Sequence, residues 1–112
     1  MKKLKDLKVI DIIQLPAFEN HVKLLMVELH EIRAKFCAKK GIKLKRGPIE
    51  RLQEKRVYNP KALAALYAKI LDKDINTSDY PLELRTFIKG LCDEALHRTV
   101  EQIKIEENEK DT

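Results

Sequence analysis

Between Phe18 and Phe36 the large apolar residues fall at Phe18, Val22, Leu25, Leu29, Ile32 and Phe36, separated alternately by four and three positions. That spacing keeps one narrow stripe on one side of an α-helix, in a near-heptad register suited to a partner helix. A strand would alternate at every second position, and this stretch does not. On the wet side, Glu19 with Lys23 and Glu31 with Lys35 stand four apart in acid-before-base order, each pair worth about 0.3 kcal/mol. The pattern predicts a long helix over about 17–40.

Upstream, Leu4, Leu7, Ile10 and Ile13 step by three, with Val9, Ile12 and Leu15 beside them. A short helix starting near Asp6 fits, and the β-branched run Val9-Ile10-Asp11-Ile12-Ile13 keeps a strand as the alternative. Pro16 either closes that element or sits in the first turn of the long helix. Asn20 is a candidate cap for a later start.

Downstream, Gly41 after Lys39 and Lys40 marks a helix end. The glycine-bounded piece Ile42-Lys43-Leu44-Lys45-Arg46-Gly47 reads as extended loop or a very short strand. Pro48 opens a second helix with Ile49 and Leu52 on its inner side. Asn59-Pro60 is a restart, Asn as cap and Pro at the first helical position. Leu63, Leu66, Tyr67 and Ile70 form the face of a helix running to about Asp72. Ala62, Ala64, Ala65 and Ala68 extend its apolar character round the circumference, which predicts a place at the centre of the core.

Asn76-Thr77-Ser78-Asp79 is a turn-and-cap cluster, and Pro81 is expected just inside the last helix. Leu84, Phe87, Ile88, Leu91, Ala95, Leu96, Val100 and Ile103 hold one face for about six turns. Gly90 within that helix costs about 1 kcal/mol relative to Ala. A close crossing by another helix would account for it, and so would tolerated weakness. The expected fold is all-α: a compact bundle of four to five helices, two of them long, at about 17–40 and 80–105. It forms one domain over 1–105, followed by a frayed acidic tail at 106–112.

Composition sharpens this picture in two places. Charged residues make up 37% of the 112 positions, against a usual share of about 25%, which implies a small or elongated body with much wet surface. Cys37 and Cys92 form no Cys-x-x-Cys pair and read as buried, reduced thiols. Lys8 and Asp11 interrupt what a secretory leader would need as an apolar stretch. The longest apolar run, Ala62 to Ala68, is too short to span a membrane. The expectation is a cytoplasmic protein with no membrane contact.

Charge is the lopsided property. Between Arg33 and Arg56 stand Arg33, Lys35, Lys39, Lys40, Lys43, Lys45, Arg46, Arg51, Lys55 and Arg56 against Glu50 and Glu54, a net +8 within a chain of net +5. Such a cluster attracts phosphate backbones or an acidic partner. Solvated surface is the plainer account of it. The candidate contacts are Lys39, Lys40, Lys43, Lys45, Arg46, Arg51, Lys55 and Arg56. Only Phe36 is aromatic within the segment, which argues against a stacking platform for single strands. Residues 48–57 and 60–72 make a weak helix-turn-helix, since the second helix offers Ala, Leu and Tyr where a groove needs polar groups.

No catalytic, metal or cofactor constellation emerges. His21, His30 and His97 are scattered, and His30-Glu31 lacks a second histidine four positions on. Asp93 and His97 lie one turn apart beside Cys92, a spacing that fits a surface ion pair better than a metal site. No phosphate-cradling glycine motif is present, and Ser78 reads as a helix cap. Glu83, Asp93, Glu94 and Glu101 read as a solvated acidic face. The sequence therefore supports a non-enzymatic helical interaction or assembly module with a protein partner or self-association, the Phe18–Phe36 seam packing either inside the domain, as an intramolecular bundle would have it, or against a second copy of the chain. The alternative is a nucleic-acid-binding accessory protein that uses the 33–56 segment for backbone contacts. Neither reading calls for a cofactor or a small-molecule ligand.

Overall fold

The computed structural model describes residues 3–43 and 47–111. Among these residues a 3-10 turn, Leu4–Asp6, precedes five α-helices: α1 (Val9–Ile13), α2 (Pro16–Lys39), α3 (Pro48–Glu54), α4 (Pro60–Leu71) and α5 (Leu82–Asp111). No strand occurs among the described residues. The expected all-α bundle with two long helices is what the chain forms.

Local chemistry sets most of the boundaries. Pro16, Pro48 and Pro60 each sit at the first helical position, where the missing N–H is not needed. The Asn59 side chain accepts from the Ala62 amide at 2.8 Å and caps α4. Helix α2 ends in a Schellman motif: Gly41 takes φ +65°, Gly41 N–H donates to Ala38 O, and Ile42 N–H donates to Cys37 O at 2.9 Å.

Several local expectations need correction. Leu15, with no side-chain bond, is the N-cap of α2, so Asn20 lies inside the helix. Ser78 caps no helix; its amide and hydroxyl both donate to Asn76 Oδ1 within a turn. Pro81 stands just before α5. The first segment forms the 3-10 turn and then α1, which starts at Val9, three residues later than expected. Neither Glu19–Lys23 nor Glu31–Lys35 closes to an ion pair among the described residues; Glu28 of α2 instead meets Arg98 of α5 at 3.2 Å. Helix α5 continues to Asp111, six residues beyond the expected end. Its last turns are tied back to the start of the chain, because Glu107 Oε1 accepts from the Leu4 amide at 2.7 Å. Leu44, Lys45 and Arg46, the middle of the expected loop or short strand, lie outside the described residues.

The core sits between α2 and α5, which run antiparallel as the largest helix–helix contact. Phe18, Val22, Leu63, Leu84 and Ile88 are fully enclosed, and Tyr67 stacks on Phe18 with ring centroids 6.1 Å apart. Helix α4 is one wall of this core and not its centre. Leu63, Ala64, Leu66 and Tyr67 face in, while Ala65, Lys69 and Leu71 face out. An alanine-rich circumference lets a helix approach closely, but it does not force burial on every side.

Gly90 is exposed on α5, and a methyl group there would meet nothing within 4 Å. The close crossing is therefore ruled out and tolerated weakness remains. Gly90→Ala raises the unfolding free energy by about 1 kcal/mol and Tm by about 4 °C, checked by thermal melting. No gain would mean that the backbone at 90 is not helical.

Candidate functional site

The seam of α2 divides into two halves. Phe18, Val22 and Leu25 are buried, whereas Ile32 and Phe36, on the same face of the same helix, are 64% and 57% exposed. Length explains the division. Helix α2 has 24 residues and α4 only 12, about 36 Å against about 18 Å at 1.5 Å per residue. Helix α4 is used up over the first half, and the seven-residue α3 reaches only the edge of the second.

What remains is an apolar cleft of about 340 Å³. It is lined by Leu29, Ile32 and Phe36 of α2, Phe87 of α5, and Pro48 and Ile49 of α3. Arg33 lines the same cleft. A second hollow, lined by Val9, Ile10, Ile13, Ala68, Leu71 and Asp72, opens on the α1–α4 side. It has no comparable cluster of like charge around it.

Helix α3 buries Ile49 and Leu52, and one carboxylate ties its start to α2. Glu50 Oε2 accepts from the Gly47 amide at 2.8 Å and from the Arg33 guanidinium. A side chain at 47 would overlap that guanidinium, so glycine leaves room for the ion pair. Burial pushes the Glu50 carboxyl up, but bonds from its own backbone amide, from Arg33 and from Gly47 outweigh it and hold the group below the ordinary carboxylate range. A carboxylate with a lowered value contributes stability above its unfolded pKa and loses it as pH falls through the folded one. Glu50→Gln should therefore cost about 1 kcal/mol at pH 7. That difference from wild type should vanish well below about pH 4, read by urea unfolding at both pH values. A difference that persisted in acid would show that the carboxylate charge does not hold α3.

The structure spreads the sequence-predicted contact residues along this end of the bundle. Lys39 and Lys40 lie one turn beyond Phe36 at the end of α2, and Lys43 follows; all three are exposed. Arg51 is half-buried on α3, and Arg56 is exposed in the turn after it with φ 59°. The Lys55 ammonium lies 5.3 Å from the centre of the Tyr80 ring, a cation–π contact. Lys45 and Arg46 lie outside the described residues. Arg33 is committed to Glu50. Sequence reasoning found this charge but missed the apolar wall beside it. Ile32 and Phe36 were legible as seam, and only the lengths of the other helices account for their exposure among the described residues.

The remaining polar groups have structural roles. Asp93 accepts from the Tyr67 hydroxyl at 2.5 Å and from Lys89 at 2.7 Å, joining α4 to α5. Burial and the Asp93 carboxylate push the Tyr67 hydroxyl far above the ordinary phenol range. Burial also pushes the Cys92 thiol up to about 12, with the Asp93 charge adding to it. Cys92 is buried as expected, Cys37 is only half-buried, and both thiols are free. Among the described residues no three His, Cys, Asp or Glu gather closely enough to hold a metal ion, and no helix is long and apolar enough to cross a membrane. Helix α4 turns Leu63, Leu66 and Tyr67 into the core and leaves Lys61, Ala65 and Lys69 on its outward face. Comparison of the chain with known protein families, curated proteins and solved structures finds no match.

Proposed function

We propose that this chain is a non-enzymatic helical interaction module whose docking surface is the cleft between the second half of α2, the start of α3 and Phe87. The observation that supports it is the exposure of Ile32 and Phe36 on the very face that is buried at Leu25, two turns before Ile32. Apolar side chains lining a concave surface gain about 25 cal/mol per Å² when a partner covers them. Grooves of this kind take the apolar face of an amphipathic helix.

The test uses ¹⁵N-labelled protein and a synthetic amphipathic peptide with Leu and Ile at helical spacing and Gln elsewhere. The amide resonances of Ile32, Phe36, Ile49 and Phe87 should move on titration, and Phe36→Ser should remove the effect. Resonances that stay fixed at millimolar peptide would refute the docking surface.

The second reading, a nucleic-acid accessory protein, draws support from the exposure of Lys39, Lys40, Lys43, Lys55 and Arg56. Backbone contacts by six to ten such cations would lose about 10³ to 10⁵ in affinity between about 50 and 200 mM salt. Replacing Lys43, Lys45, Arg46 and Arg51 with Glu should abolish duplex binding and leave helicity unchanged. Retained binding would remove this reading.

A further inference from the structure

We infer that the occupant of the cleft is an acidic amphipathic helix from a different protein. The inference rests on the docking reading above and adds the partner's chemistry. The apolar wall from Leu29 to Phe36 covers two helical turns, the span that side chains at i, i+3 or i+4 and i+7 of a docked helix would fill.

Charge decides the sign of the partner. Lys39 and Lys40 stand one turn past Phe36, on the face that continues the wall, and Lys43 follows them. Of the nearby carboxylates, Glu50 is consumed by Arg33 and the Gly47 amide and Glu28 by Arg98, which leaves Glu31 beside Ile32 and Glu83 one turn before Phe87 against the exposed Lys35, Lys39, Lys40 and Lys43. The open end of the groove is therefore positive, and carboxylates flanking the apolar stripe of a docked helix would meet it.

The same charges argue against the other occupants. A two-fold dimer with its axis near the end of α2 would crowd Lys39, Lys40 and Lys43 of one copy against those of the other. The chain's own acidic stretch, Glu106, Glu107 and Glu109, lies at the opposite end of the bundle. The antiparallel helices fix it there, with His21 of α2 and Gln102 of α5 2.8 Å apart. A second copy offering that end would build an open head-to-tail chain. Phosphate backbones gain nothing from Leu29, Ile32, Phe36 and Phe87, and a flat bilayer surface does not enter a cleft lined from three helices.

The experiment uses the full chain and three fluorescent peptides of about 14 residues. All carry Leu and Ile at i, i+3, i+4 and i+7, with Glu, Gln or Lys at the remaining positions. At about 50 mM salt the Glu peptide should bind at least about tenfold more tightly than the Gln peptide, and the gap should shrink at about 200 mM as screening grows. K39E/K40E should reverse the order of the Glu and Lys peptides. Phe36→Ser should weaken every peptide about tenfold or more while the circular dichroism and Tm stay at wild-type values. A Gln or Lys peptide that bound as tightly as the Glu peptide would overturn the inference and leave the docking surface standing. A concentration-dependent dimer in sedimentation that disappears in Phe36→Ser, without peptide binding, would assign the cleft to a second copy. Anionic vesicles bound through Phe36, again without peptide binding, would assign it to lipid. A monomer that binds none of these probes would overturn the inference and the docking reading together.

Discussion

Phe18→Ala is expected to lower the unfolding free energy by about 3–5 kcal/mol, and Phe36→Ala by less than about 0.5 kcal/mol. The two residues have the same side chain, the same helix and the same face, so propensity and seam register cannot separate them. Burial does: Phe18 is fully enclosed and stacked on Tyr67, whereas Phe36 is 57% exposed beside an open cleft. Removing the Phe18 ring takes away its transfer free energy and leaves a hole among Val22, Leu63 and Tyr67 that the helices cannot fully close. A domain of this size holds about 5–15 kcal/mol in all, so the variant should sit close to unfolding at physiological temperature. Urea titration of both variants beside wild type reads the difference. Equal losses at the two positions would mean that the second half of the seam is also covered.

The second large effect belongs to Ile88→Ala, at about 2–5 kcal/mol. Ile88 is fully enclosed on the side of α5 that meets the core. Two positions further on, Gly90 points into open space and gains stability on acquiring a methyl group. Opposite signs two residues apart fix the rotation of α5 about its own axis. If Ile88→Ala were neutral, the face assigned to the core would be the wrong one.

Much of the fold was legible because its elements announce themselves locally. The three-and-four spacing from Phe18 to Phe36, the prolines at 16, 48 and 60 and the Asn59 cap each act within a few residues. Their consequences do not depend on what lies across the core. The errors concern quantities set by tertiary contact. Helix α5 runs past the expected stop because its end is held by the Leu4 amide, a partner 103 residues away that no local pattern reveals. Helix α4 looked central because alanines surround it, yet only one side meets α2 and α5.

The candidate site was half legible. Its cations could be counted from the sequence, since charge needs no neighbours to be noticed. The apolar wall could not, because an exposed and a buried phenylalanine look alike in a heptad pattern. What distinguishes Phe36 from Phe18 is the length of α4 and the short reach of α3, and those appear only once the helices are packed. The Arg33–Glu50 pair that fixes the end of the cleft joins two elements across a loop and was equally out of reach.

In the proposed reading one seam serves two purposes, core at its beginning and docking wall at its end. The chain has three phenylalanines, one in the core, one on the exposed wall and one facing it, so fluorophenylalanine labelling gives one ¹⁹F signal for each. The direct measurement is the shift of each signal between H₂O and D₂O at low protein concentration. No solvent shift is expected at Phe18, a large one at Phe36 and an intermediate one at Phe87, with the last two suppressed by the Glu peptide. A Phe36 signal as insensitive to solvent as that of Phe18 in the free protein would contradict that reading.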